Sequence, residues 1–338
     1  MTRQALIAAA AVLTLASTAF IVADANHPTG TRGILLIDKV GGQIRFIDPV
    51  TYKERAAFKV ATNPHDFVLT ADRKTAYVPL YGDGIYGRNP NPGHEVVIVD
   101  MEAQKIVGTI DVAPYRAPYG IQIDANGTVY VSSDLDRKLL VIDPRARKVT
   151  HAIDTEGTTH WIGILPNGSK LYATNKNDGP FVSVIDLKTN KMTGKIAVPG
   201  GTQGIAVSPD GKRVVVMASA EPTALVIDPA TDTIVDRVAL ANQKGGGYKA
   251  YYSPDGKYLL TMNLGSASIN IFDAANLHGM QHTLTVGKDP MGFAFSADGK
   301  TVLVANHGDG SVSVVDLVTK KETSRFQAGT GIETLTYY

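Results

Sequence analysis

Residues 201–240 read GTQGIAVSPDGKRVVVMASAEPTALVIDPATDTIVDRVAL. Val- and Ile-rich runs fall at about 203–208, 213–218, 223–228 and 233–239. Between them lie an Asp-Gly pair (Asp210-Gly211), a short loop and a turn opened by Asp228. Short β-branched runs separated by such turn residues predict four antiparallel strands. Forty residues are too few for an independent β domain, so the segment must be one unit of something larger.

The unit recurs. Its Val-Ile-Asp phrase ends at Asp48, Asp100, Asp143, Asp186, Asp228, Asp273 and Asp316, at spacings of 52, 43, 43, 42, 45 and 43. Upstream of five of these phrases lie Asn126-Gly127, Asn167-Gly168, Asp210-Gly211, Asp255-Gly256 and Asp298-Gly299. These pairs predict tight hairpins with positive φ at both central residues. Where the pattern would place another pair, Asp72 is followed by Arg73, which predicts a different turn. Four strands every 40–45 residues, with no convincing helical period, describe propeller blades. Seven aspartates count seven blades. The first repeat offers strands only near 34–39, 43–48 and 53–60 and lacks an innermost one; GIETLTYY (331–338) supplies it. The expected fold is therefore all-β: a single seven-bladed β-propeller of four-stranded antiparallel blades, its ring closed by the C-terminal strand joining the N-terminal blade.

SPDGK (208–212 and 253–257), SADGK (296–300), VLVANHGDGSVSVVD (302–316) and ATNKNDGPFVSVIDLKTNK (173–191) resemble the YVTN-repeat, YncE-like propeller family. NPHDFVLTADRKTAYVPLYGDG (63–84) is locally similar to lactonase-type propellers. The residue types near the channel are similar to those of streptogramin-type lyases, which use histidine, glutamate and tyrosine around a metal. These resemblances imply the propeller; propellers serve as enzymes, binding proteins and scaffolds, so function must be argued from the site.

Composition narrows the classes. The 338 residues are 44% hydrophobic and 19% charged, enough to build a sizeable core. The net charge of +1 and the absence of a basic run argue against nucleic acid as a partner. With no cysteine, disulfides, thiolate metal sites and a cysteine nucleophile are excluded. Arg3, the apolar run ALIAAAAVLTLA (5–16) and the small residues after it read as a signal peptide cleaved after Ala19 or Ala25. The alternative is a retained anchor reaching Val22. Cleavage leaves residues 26–338 as the propeller, periplasmic or secreted, with no membrane span.

The seven aspartates read as turn formers. Function should lie where repeats differ yet converge. Aligning them puts His65, Tyr119, His160, Gln203, Tyr248, Met291 and Glu333 at one rim of the central channel. Asp66, Gly120, Trp161, Gly204, Lys249, Gly292 and Thr334 follow one step along; the three glycines imply crowding. Loops opening on the same rim carry Asp38-Lys39, Asn175-Lys176 and Asn306-His307. An insertion at 79–95 holds Tyr81, Asp83, Tyr86, Arg88 and His94 and reads as an irregular lid.

Two imidazoles and a carboxylate suit an open metal site, so His65, His160 and Glu333 are candidate ligands for one divalent ion. They are equally candidate acid–base groups, with Tyr119 and Tyr248 as proton donors or substrate orienters. Gln203, Trp161, His94 and His307 are candidate ligand contacts, and Arg88 suits an anionic group. The expected function is binding of a small polar ligand at the rim, with metal-assisted hydrolysis or elimination as the chemistry. The alternative is a non-catalytic envelope protein that binds another protein. His27, His151, His278 and His282 read as surface residues, and GGG at 245–247 as a loop hinge.

Overall fold

The computed structural model describes residues 31–84, 89–176 and 179–338. The signal-like segment, His27, Tyr86 and Arg88 lie outside the described residues. Seven four-stranded antiparallel sheets form the blades of a β-propeller, and no helix occurs among the described residues. The blade of residues 201–240 comprises Thr202–Val207, Val214–Ala218, Thr223–Asp228 and Thr233–Ala239. Within a blade the strands are called a to d, from channel to periphery. The composite blade is ordered Ile332–Tyr337, Ile34–Asp38, Gln43–Ile47, Glu54–Lys59; the others are numbered one to six along the chain. Among the described residues no helix is long and apolar enough to cross a membrane.

Burial follows from blade stacking. Strands b and c are covered on both faces by neighbouring blades, so VVVMA at 214–218 is buried throughout. Strand d keeps one face in water, and 233–239 alternates accordingly. The core is thus a set of wedges between blades. One joins Leu303 and Val312 of blade six to Ile34, Leu36 and Leu335 of the composite blade.

Each Val-Ile-Asp aspartate accepts backbone N–H bonds from the turn after it, as Asp316 does from Val318 and Thr319 at 2.8 Å each. The Asp-Gly turns differ from expectation. Only the glycine has positive φ, 69° at Gly211, and its N–H donates to the Ser208 carbonyl at 2.8 Å. This is a type I turn followed by a left-handed residue. Asp210 supports it by accepting from the Ser208 hydroxyl at 2.6 Å and the Lys212 N–H at 3.0 Å. Arg73 adopts the same geometry, with φ of 54° and its N–H on the Thr70 carbonyl at 2.8 Å. Blade one therefore keeps the turn form of its neighbours.

The glycines beside the channel are crowded for a definite reason. A Cβ on Gly204 would lie 2.6 Å from the Tyr248 carbonyl oxygen and 2.7 Å from the Lys249 Cα, both backbone atoms of the next blade. Gly120 and Gly292 meet the backbones of His160 and Glu333 in the same way. Gly204→Ala is expected to cost roughly 1–3 kcal/mol through overpacking, read as a lower denaturation midpoint. An unchanged midpoint would mean that the blades can slide apart freely.

Candidate functional site

The innermost strands, with His65 and Tyr248 on the residues just before theirs, bring the aligned ring together at one level of the channel, but as a closed layer. His65, Tyr119, His160 and Glu333 are buried, while Gln203, Tyr248 and Met291 are partly open. Tyr119 stacks on His160 with ring centroids 3.7 Å apart and lies 4.9 Å from His65. Trp161 packs edge-on to Tyr119, His160 and Tyr248.

The insertion closes this layer. Its two arms, 79–82 and 92–95, extend the strands Thr75–Gly82 and Pro92–Asp100 as a hairpin, so the expected irregular lid is confined to the tip, of which residues 85–88 lie outside the described residues. Tyr81 at its base is fully buried against His65, with centroids 4.8 Å apart. Its hydroxyl donates to Asp134 at 2.6 Å. The other Asp134 oxygen lies 3.4 Å from His160 Nδ1. Burial, opposed by Asp134, still holds the His160 imidazolium below its ordinary range. Burial and then Lys39 do the same, more strongly, to His65. Both rings are neutral at pH 7. Burial also pushes the Tyr119 phenol well up, which makes it a poor proton donor.

Glu333 is the electrostatic centre. It is 1% exposed. Lys249 lies 3.5 Å away, Lys39 at 3.8 Å and His307 Nδ1 at 3.7 Å. Burial would raise the carboxyl, but Lys249 and then Lys39, the leading charges beside it, hold it at about 2. Lys249 is itself buried, with Nζ 5.0 Å over the Trp161 ring and 5.7 Å over Tyr248. Against the cost of burial, Tyr251 and Glu333 keep its ammonium above the ordinary value.

The metal assignment to His65, His160 and Glu333 is corrected. Tyr119 stands between the two imidazoles, and Glu333 is held by lysines. Among the described residues no three His, Asp or Glu side chains gather closely enough to hold a metal ion. His94 is corrected too. It sits on strand c of the hairpin with Nδ1 2.8 Å from the Tyr115 carbonyl, occupied in bracing the outer loop. His151 is exposed on an outer strand, His278 pairs with Asp236 at 2.9 Å, and His282 meets the Lys320 carbonyl.

The loop pairs divide their labour. Asp38, Asn175 and Asn306 are fully buried and tie their own blades. Asn306, for example, donates to Ser311 and Ser313 at 3.0 and 2.9 Å. The next residues, Lys39, Lys176 and His307, are those that reach the rim. Asp134, in the same register of blade two, was legible from that alignment but not singled out by sequence reasoning. Burial, partly offset by Glu333, lowers the Lys39 ammonium, with Lys249 adding to the effect. Burial and Lys39 lower Lys176, against Asp134. Several buried atoms at this layer lack a protein hydrogen-bond partner: both His65 ring nitrogens, Gln203 Oε1, His307 Nδ1 and Glu333 Oε2.

A family model described as a domain of unknown function, DUF5074, matches residues 119–290. The chain belongs to the DUF5074 family. The matched stretch carries Tyr119, His160, Gln203, Tyr248 and Lys249, while the DUF5074 model leaves His65, Lys39, His307 and Glu333 outside its span. No curated protein matches. Among solved structures, this DUF5074 chain is similar to a hydrazine synthase chain of Kuenenia stuttgartiensis, with a TM-score of 0.70 and 19% identity. The likeness covers 84% of this chain and 92% of that one, and at this identity it shows the fold alone.

Proposed function

We propose that this protein is an exported, YncE-like propeller that binds a small hydroxylated anion at the channel rim, without a metal. The observation that carries the reading is the set of unpaired buried acceptors beside lysines. Gln203 Oε1 and Glu333 Oε2 have no protein donor within hydrogen-bond distance, Lys39 and His307 standing off Glu333 Oε2 at 3.8 and 3.7 Å, and buried polar groups are normally satisfied. Hydroxyl groups of a ligand supply those donors. A carboxylate or phosphate adds counter-charge beside Lys39, whose ammonium is lowered by burial and shares Glu333, 3.8 Å away, with Lys249. Tyr248 and Met291 give the ligand an apolar wall, with the phenol oxygen 3.9 Å from the Met291 sulfur. Export rests on the N-terminal segment. Among the described residues, metal-assisted hydrolysis or elimination has no ligand set to support it. A protein partner in the envelope is the alternative occupant of the rim.

Calorimetric titration with gluconate and tartrate, beside the unhydroxylated succinate, tests the reading. The hydroxylated acids are expected to bind more tightly. Lys39→Ala is expected to weaken them at least about tenfold, since a charge-assisted hydrogen bond contributes roughly 1.5–3 kcal/mol. Gln203→Leu should erase the preference over succinate. No anion binding, or binding indifferent to Lys39→Ala, would overturn it.

A further inference from the structure

Beneath the closed layer the channel opens toward the opposite face as a funnel of about 560 Å³. Its mouth is formed by turns between strands a and b, at Thr70, Arg73 and Pro254. Its walls include Trp161, Tyr251, Phe293 and Phe295, and its inner end carries Asp66 and Lys249. Tyr251 and Phe293 pack edge-on at 5.6 Å, and Tyr251 and Phe295 are both partly open to the lumen. The volume is that of an ordinary small-molecule site.

The two charges at the inner end do not pair with each other. Asp66 accepts from the Phe67 N–H at 2.9 Å. Lys249 lies 3.5 Å from Glu333 on its other side, but Lys39 shares that carboxylate at 3.8 Å, so two ammonium groups face one carboxylate and Lys249 keeps part of its charge for a ligand. Burial raises the Asp66 carboxyl to about 6, against the pull of Lys249, so at pH 7.5 it is an anion. A simple organic anion entering the funnel would meet Asp66 in a poorly solvated space. A simple amine would meet Lys249. Only a ligand bearing both signs answers both groups, and attraction and repulsion together set the choice.

We propose that the funnel is a second binding site, for a free α-amino acid with a large apolar side chain. The ammonium sits on Asp66, the carboxylate on Lys249, and the side chain between Tyr251, Phe293 and Phe295. The aromatic walls contribute apolar burial and bracket the ammonium, which ring faces attract. The site is separate from the rim: Lys249 borders both, but Asp66 lines only the funnel, and Lys39 belongs only to the rim.

The test is calorimetry at pH 7.5 with L-phenylalanine and L-tryptophan, beside phenethylamine, 3-phenylpropionate and glycine. The two amino acids are expected to bind saturably. Phenethylamine and 3-phenylpropionate should each bind at least about tenfold more weakly, the size of one lost charged contact, and glycine, which keeps both charges, should bind at least about tenfold more weakly for want of the buried side chain. Asp66→Asn keeps the shape and the backbone acceptor; it should weaken phenylalanine about tenfold and remove its advantage over 3-phenylpropionate. The proposal is overturned if neither amino acid binds at millimolar concentration. Equal binding of 3-phenylpropionate or phenethylamine to the wild type overturns it as well, and that comparison needs no variant to fold.

Discussion

A chain ending at Gly331 is expected to fail to fold as a monomer. Residues 332–337 form the inner strand of the composite blade and pair with Ile34–Asp38 from Ile34↔Tyr337 to Asp38↔Ile332. Ile332, Leu335, Tyr337 and Tyr338 are each no more than 5% exposed. A buried large apolar side chain contributes roughly 1.5–3 kcal/mol. Four of them remove about 6–12 kcal/mol, against a net stability of about 5–15 kcal/mol for a typical domain. The cut also strips two charged contacts from the centre, since Glu333 leaves Lys249 and Lys39 behind. It exposes an unpaired apolar edge at Ile34–Asp38, a template for pairing with other chains. Aggregated material without a cooperative unfolding transition is the expected result. The peptide GIETLTYY (331–338), supplied in excess during refolding, should restore part of the soluble monomer. A truncated chain that melts cooperatively near the wild-type temperature would show that the blades hold the ring without this strand.

Blade number, closure and strand limits were legible because each has a periodic or local cause. The strand expected at 223–228 is Thr223–Asp228; the apolar run and the Asp turn specify it together. The Asp-Gly turns show the limit of a dipeptide rule: Pro209 and Asp210 take the two central turn positions, and Gly211 supplies the left-handed residue after them. Arg73 shows that the frame can impose that conformation on a residue the sequence would not suggest. Repeat alignment placed His65, Tyr119, His160 and Glu333 at one level, and the structure has them there. Alignment assigns a level to each Cα but no direction to a side chain. It could not show that Tyr119 would lie between the imidazoles. Nor could it show that Glu333 would choose Lys249, which comes from the neighbouring ring position and a blade that is not adjacent. Such a pair across the channel leaves no period to read.

That pair carries the second large effect. Lys249→Met is expected to destabilise the protein by about 3 kcal/mol at pH 7. Removing one partner of a buried ion pair typically costs about 3–5 kcal/mol; the lower end applies because Lys39, 3.8 Å from Glu333, remains. The lost attraction of the ammonium to Trp161 and Tyr248 adds to the cost. Glu333→Gln in the same chain should recover much of the loss, because no unbalanced charge is then left in the channel. The dependence on pH separates this from a packing effect. In the wild type the Glu333 carboxyl is held at about 2 against an ordinary 4.5. A depressed carboxyl stabilises the fold above its unfolded value. That contribution, on the order of 3 kcal/mol, is lost as pH falls through about 2. Without Lys249, burial acts on Glu333 with less opposition, and its folded pKa rises. Acidification from pH 7 to pH 4 should therefore narrow the stability gap between Lys249→Met and wild type, while Lys249→Met with Glu333→Gln should show no such narrowing. Urea denaturation at pH 4, 5.5 and 7 measures it. A gap that stays constant across that range would mean that Lys249 acts by filling space, and that Glu333 owes its ionisation to Lys39.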